Sequence, residues 1–110
     1  MDDQTKKTIQ DHIDTNEVCL FMKGTPDAPQ CGFSMAVSNM LKILEVSFKG
    51  INVLEDQSIR EGIKSFSDWP TIPQLYVSKE FIGGCDIVKE MYESGELKKV
   101  FDDKGIKYKK

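Results

Sequence analysis

The residues best able to do chemistry in this chain are Cys31-Gly32-Phe33-Ser34, which follow a loop bearing Pro26 and Pro29 and stand where a helix begins. A cysteine at a helix start faces unpaired backbone N–H groups and the partial positive charge of the first turn, and both favour the thiolate. A thiolate is the nucleophile of disulfide exchange and also a ligand for soft metals. Lys23, at the end of the preceding strand, adds a second positive charge nearby. Taken alone, these four residues equally allow a small helix-start residue without chemistry. Cys19 lies inside the apolar run Val18-Cys19-Leu20-Phe21-Met22 and reads as core. Cys85 follows Gly83-Gly84 at another predicted helix start. Three cysteines make an odd and sparse set, unlike the disulfide framework of a small secreted domain.

The elements that must position these residues follow from the hydrophobic period. Ile9 and Ile13 stand four apart in a polar stretch running from near Asp2 to near Asn16, which predicts a short amphipathic helix. The continuous run Val18 to Met22 predicts a strand buried on both faces, central in a sheet. Gly24-Thr25-Pro26-Asp27-Ala28-Pro29 must be a loop. Phe33, Ala36, Val37, Met40, Leu41 and Leu44 recur at helical steps, with Cys31 at the entrance. Phe48, Ile51 and Val53 then predict a second strand, parallel to the first because a helix joins them, with Gly50 as a candidate bulge. A helix through Ile59, Ile63 and Phe66 follows, capped by Asp56 or Ser58. Gln74 to Val77 and Phe81 to Ile82, separated by Ser78-Lys79-Glu80, predict an antiparallel hairpin. Asp86 is the expected cap of a helix through Val88, Met91 and Tyr92 that stops at Gly95, and Leu97, Val100 and Phe101 mark a last short helix.

The resulting order αβαβαββαα sets a parallel half beside an antiparallel half, as in a thioredoxin-like fold: α/β, with a mixed four-stranded sheet flanked by helices. The pattern alone leaves other α/β sandwiches open. At 110 residues there is room for one domain and one small core. Fifteen basic against eighteen acidic residues give a net charge of −3, which argues against general attraction to nucleic acid or anionic membranes. The six lysines between Lys98 and Lys110 are a local excess, expected to be a solvated helix end and a tail frayed from about residue 103. No apolar run approaches membrane-spanning length and the start has no leader pattern, so the expected compartment is the cytoplasm. His12, the sole histidine, lies far in sequence from the other motifs and is given no role.

Three further motifs accompany Cys31-Gly32-Phe33-Ser34: Lys23-Gly24-Thr25-Pro26 upstream, Trp69-Pro70-Thr71-Ile72-Pro73 before the third strand, and Gly83-Gly84-Cys85-Asp86 at a later helix. Over about Val18 to Leu97 the chain resembles the CGFS-type monothiol glutaredoxins. The resemblance implies a single glutaredoxin domain over 1–110, a cis Ile72–Pro73 bond, and glutathione as cofactor. It implies that the backbone of Ile72 pairs with the cysteine of glutathione and that Lys23 and Arg60 hold the glycine carboxylate. The amides of Cys85 and Asp86 would take the γ-glutamyl carboxylate, and the Asp86 side chain the ammonium. Gly83-Gly84 would let the peptide approach closely. Arg60 and Lys23 could instead be solvated, Asp86 only a helix cap, and Trp69 and Phe33 either packing or contacts.

A dithiol glutaredoxin resolves its mixed disulfides with a cysteine three residues on, and here that position is Ser34. Exchange within the motif is therefore excluded, and two functions remain. One is a weak glutathione-dependent disulfide oxidoreductase working through Cys31, with or without Cys85. The other, which the resemblance favours, is carriage and transfer of a [2Fe-2S] cluster in iron-sulfur cluster assembly. A cluster needs four thiolates, and one Cys31 plus one glutathione from each of two chains supplies them. That implies a cluster-bridged homodimer with Cys31 as the metal ligand. It also brings apo iron-sulfur acceptor proteins and a BolA-family protein as candidate partners.

Overall fold

A computed structural model describes residues 1–109. Its elements are α1 (Asp3–Thr15), β1 (Val18–Met22), α2 (Gly32–Ile43), β2 (Lys49–Asn52), a 3-10 turn (Val53–Glu55), α3 (Gln57–Ser67), β3 (Gln74–Val77), β4 (Glu80–Gly83), α4 (Cys85–Ser94) and α5 (Glu96–Lys104). The strands form one sheet in the order β2-β1-β3-β4. β1 runs parallel to β2, with Leu20 beside Gly50, and antiparallel to β3, with Leu20 beside Leu75. β3 and β4 are antiparallel. This is the thioredoxin-like arrangement expected from the order of elements.

Strand β1 is central because both of its faces are apolar. Successive side chains of a strand point to opposite faces. Val18, Leu20 and Met22 accordingly pack with α2, α4 and α5, through Val37, Leu41, Val88, Leu97 and Phe101. Cys19 and Phe21 join Ile9, Ile13, Ile59 and Ile63 from α1 and α3 on the other side. Helices α1 and α3 start where a carboxylate caps them. Asp2 Oδ1 accepts the Thr5 N–H at 2.7 Å, and Asp56 Oδ1 accepts the Ser58 and Ile59 N–H groups at 2.9 and 3.4 Å. Asp56 is thus the cap and Ser58 is not. Among the described residues no helix is long and apolar enough to cross a membrane.

Several local expectations are corrected. Gly50 is not a bulge: its pairing with Leu20 is regular, and a Cβ there would stand 2.6 Å from Cγ of Pro26, so the glycine makes room for the loop before α2. The register shift lies between Leu75 and Tyr76, opposite β4. Phe48 and Val53 fall outside β2. The hairpin turn is Ser78-Lys79 alone, both at positive φ (48° and 71°), and Glu80 already pairs with Val77. The cap of α4 is Gly84, with Asp86 in the first turn.

The C-terminal segment is docked rather than frayed. Ile106 is buried, its N–H bonds the Phe101 carbonyl at 2.8 Å, and the Lys109 N–H bonds the Leu44 carbonyl at 2.6 Å. Gly105 at φ +70° turns the chain back so that Tyr108 packs on Phe101, ring centres 5.9 Å apart. Lysine content suggested a solvated tail, but the two apolar residues among the lysines anchor it.

Candidate functional site

The loop from Lys23 to Gln30 is shaped by hydrogen bonds before it reaches the thiol. Asn52 Oδ1 accepts the Gly24 N–H at 2.9 Å and the Leu54 N–H at 3.0 Å, tying the end of β1 to that of β2. Gly24 has φ +92°, and a Cβ there would lie 2.5 Å from the Ala28 carbonyl oxygen, so only glycine fits. Gln30 N–H returns to the Lys23 carbonyl at 2.9 Å, and Lys42 Nζ donates to the Pro26 carbonyl. The loop thereby delivers Cys31 to the N-cap of α2, at φ −150° and ψ 137°.

Cys31 makes no side-chain capping hydrogen bond of regular geometry. Its sulfur nevertheless stands in the field of the first turn. The Ser34 N–H does most to hold the thiol below its ordinary value, with help from the Phe33 N–H, the Lys23 ammonium and the Ser34 hydroxyl, against an opposing effect of partial burial. Ser34 is fully buried, and its Oγ also accepts the Lys23 N–H at 3.0 Å. The residue in the place of a second thiol therefore ties the end of β1 to the thiolate.

Around Cys85, whose thiol feels the Cys31 sulfur, lies a cavity of about 190 Å³ lined by Phe33, Trp69, Thr71, Ile72, Pro73, Gly84, Cys85, Asp86 and Ile87. The Ile72–Pro73 peptide is cis. Cys85 opens α4, and its thiol is raised by burial first, then by the Asp86 carboxylate and the nearby Cys31 sulfur, with Lys89 partly offsetting. The two accessible cysteines are thus shifted in opposite directions, Cys31 toward the thiolate and Cys85 toward the protonated thiol. Cys19 is wholly inside, and burial pushes its thiol up to about 12. A larger hollow of about 550 Å³ lies between Thr15–Val18, Ser47–Lys49 and Gly105–Lys107, but it contains no cysteine and does not adjoin Cys31.

The structure brings Ile72, Cys85 and Asp86 into the lining of one cavity, with the Cys31 sulfur acting on the Cys85 thiol and the Lys23 charge acting on the Cys31 sulfur. Arg60 sits half-buried in the first turn of α3, its N–H on the Asp56 carbonyl, outside that lining. Phe33 and Trp69, left between packing and contact by the sequence, both line the cavity. Trp69 also packs on Phe81 at 5.7 Å between ring centres, while Phe33 is 61% exposed. His12 lies near Phe21 on the α1 side. Sequence reasoning passed over Gln74, which is fully buried just after Pro73. The available signal was a lone amide opening an otherwise apolar strand.

A family model described as Glutaredoxin matches residues 18–82. The chain is 56% identical over 103 residues to a mitochondrial monothiol glutaredoxin-5 of Lachancea kluyveri, covering 91% of this chain and 72% of that one. It is 55% identical to a probable monothiol glutaredoxin 2 of Rickettsia typhi, covering 94% and 93%. Among solved structures, a monomeric truncated mutant of Trypanosoma brucei 1-C-Grx1 superposes with a TM-score of 0.88 at 44% identity, covering 96% of each chain.

Proposed function

Because this chain belongs to the glutaredoxin family, in its monothiol branch, we propose that it binds glutathione beside Cys31 and carries a [2Fe-2S] cluster shared between two such chains. The observation that carries the reading is the pairing of one accessible, thiolate-favouring cysteine with a buried Ser34 in place of a second thiol. A thiolate that no neighbouring thiol can trap as a disulfide within its own motif stays available as a soft ligand.

Glutathione would lie along the cavity with its cysteine against the backbone of Ile72, pairing with it as a short strand does. Its γ-glutamyl carboxylate would meet the N–H groups at the start of α4, where the helix end favours an anion. Asp86, exposed on the same turn, would take the ammonium. Lys23 and Arg60 would serve the glycine carboxylate. The cluster is cargo: Cys31 and glutathione from each half complete its four thiolates. Half of that set is a dissociable small molecule, so handing the cluster to an apo iron-sulfur protein needs no unfolding of the carrier. A BolA-family protein could replace one half.

Anaerobic reconstitution with iron, sulfide and glutathione tests this. The expected product is a coloured dimer, whereas omission of glutathione, or Cys31→Ser, leaves a colourless monomer. Absence of cluster under every reconstitution condition, together with fast reduction of a glutathione mixed disulfide, would overturn it. That outcome fits a second reading favoured by the lowered Cys31 thiol, glutathione-dependent reduction. In it the Cys31 thiolate attacks the glutathione sulfur of a mixed disulfide and releases the substrate thiolate. A second glutathione thiolate then attacks the Cys31–glutathione disulfide, giving oxidised glutathione and regenerating the Cys31 thiolate.

A further inference from the structure

We propose that Gln74 is a positioning residue for the glutathione site, its buried amide holding the Trp69–Pro73 segment in the shape that presents the Ile72 backbone and one wall of the cavity. The role rests on the glutathione reading above. Gln74 opens β3 and is 0% exposed. Its Nε2 donates to the Trp69 carbonyl at 3.2 Å and to the Thr71 carbonyl at 3.1 Å, so both amide hydrogens bind the segment preceding Pro73. Its Oε1 accepts the Tyr76 hydroxyl at 3.3 Å. The orientation of the amide is forced, because two carbonyls can only accept and must face the NH₂ end.

Tyr76 anchors this pair through its packing. It is 3% exposed and held among Phe21, Phe66 and Phe81, with ring centres 5.7, 6.4 and 5.4 Å away. The brace therefore runs from the aromatic core on the α1–α3 side of the sheet, through Tyr76 and Gln74, to two carbonyls of the segment that lines the cavity. The segment's other backbone tie is at its start, where the Trp69 N–H meets the Lys64 carbonyl and Ser67 Oγ, both at 3.2 Å. Gln74 lines no part of the cavity itself. It acts through Trp69, Thr71 and Ile72, whose placement decides whether a peptide backbone can pair there. Losing a buried donor leaves carbonyl acceptors unsatisfied, and the segment relaxes to recover them.

The test uses the full chain with Gln74→Met, which keeps the volume and removes the donors, and Gln74→Glu, which sets a carboxylate against two carbonyl oxygens. Glutathione affinity by calorimetry should fall about tenfold or more in each folded variant. The pH profile of Cys31 alkylation should stay unchanged, because Ser34, Phe33 and Lys23 are untouched. Relative to the unmutated chain at each pH, the Gln74→Glu deficit should narrow on acidification as the carboxyl regains one donor, and the Gln74→Met deficit should not. Affinity within twofold of the unmutated chain in either folded variant would overturn the role, even if unfolding becomes easier. Should neither variant fold, the Gln74 side-chain NH₂ signals of the unmutated protein decide. Slow exchange and a shift on adding glutathione support the brace, and exchange as fast as that of a surface amide overturns it. No binding by the unmutated chain would instead overturn the glutathione reading and this role with it.

Discussion

Gly84 and its neighbour Gly83 look alike in the sequence, yet the structure gives them different work, and substituting each by alanine separates the two. At Gly84 the backbone is extended, with φ −94° and ψ −165°, so alanine meets no backbone strain. Its added Cβ would stand 3.0 Å from Trp69 Nε1, 3.4 Å from the Pro73 carbonyl oxygen and 3.8 Å from Thr71 Oγ1. Non-bonded atoms prefer roughly 3.5–4.0 Å. The indole would therefore have to retreat by a few tenths of an ångström against Phe81, at a cost of about 1–2 kcal/mol for overpacking. That methyl also stands in the cavity where a bound peptide backbone would approach. Gly84→Ala should thus weaken glutathione binding by at least about tenfold, or roughly 1.4 kcal/mol, while the fold persists. Gly83 is the contrast. Its φ is +154°, and a Cβ would lie 2.8 Å from Ile87 Cβ, so Gly83→Ala should cost stability first, by about 2–4 kcal/mol from strain plus crowding. Urea unfolding and calorimetric titration of both variants give the comparison. Glutathione affinity of folded Gly84→Ala within twofold of the unmutated chain would refute the argument from close approach.

Further outcomes follow from the same contacts. Ser34→Ala removes the hydroxyl that helps to hold the Cys31 thiolate, so the midpoint of Cys31 alkylation against pH should move upward. An unmoved profile would leave the stabilisation to the backbone N–H groups alone. Alkylation of the native protein near neutral pH should label Cys31 first, Cys85 more slowly, and Cys19 only on unfolding, as read by mass spectrometry. Cys19 should also shape alkaline stability. Its thiol rises from 9.0 to about 12 in the folded state, so its contribution is intact below pH 9 and is lost as pH rises toward 12. Cys19→Val should flatten that alkaline fall in urea midpoint. Truncation before Ile106 removes a buried side chain and the Lys109–Leu44 bond, and should cost about 2–3 kcal/mol in chemical unfolding. No loss would mean that the tail does not dock in solution.

The sequence by itself determined the sheet and marked Cys31 as the candidate thiol, because both readings rest on short-range order. A run such as Val18 to Met22 can only be central, and a cysteine at a helix start meets the same unpaired N–H groups in any fold. Proline and glycine placement likewise announced the loop before α2. Tertiary structure alone decided what long-range approach controls. Gly50 was open to reading as a bulge until the ring of Pro26, from a different loop, was seen to rest on it. Asp86 resembled a cap, but the cap is the glycine two residues earlier. Ser34 could be read as a missing thiol, and only folding shows that its hydroxyl joins the Lys23 N–H to the sulfur. Gln74 stood out only as a lone amide in an apolar strand, and its partners, carbonyls of a turning segment and a tyrosine packed among aromatic rings from other elements, are set by the fold. Hydrophobic period reports which face of an element is covered. It carries no information about which distant polar atom a buried side chain will meet, and in this chain those meetings shape the candidate site.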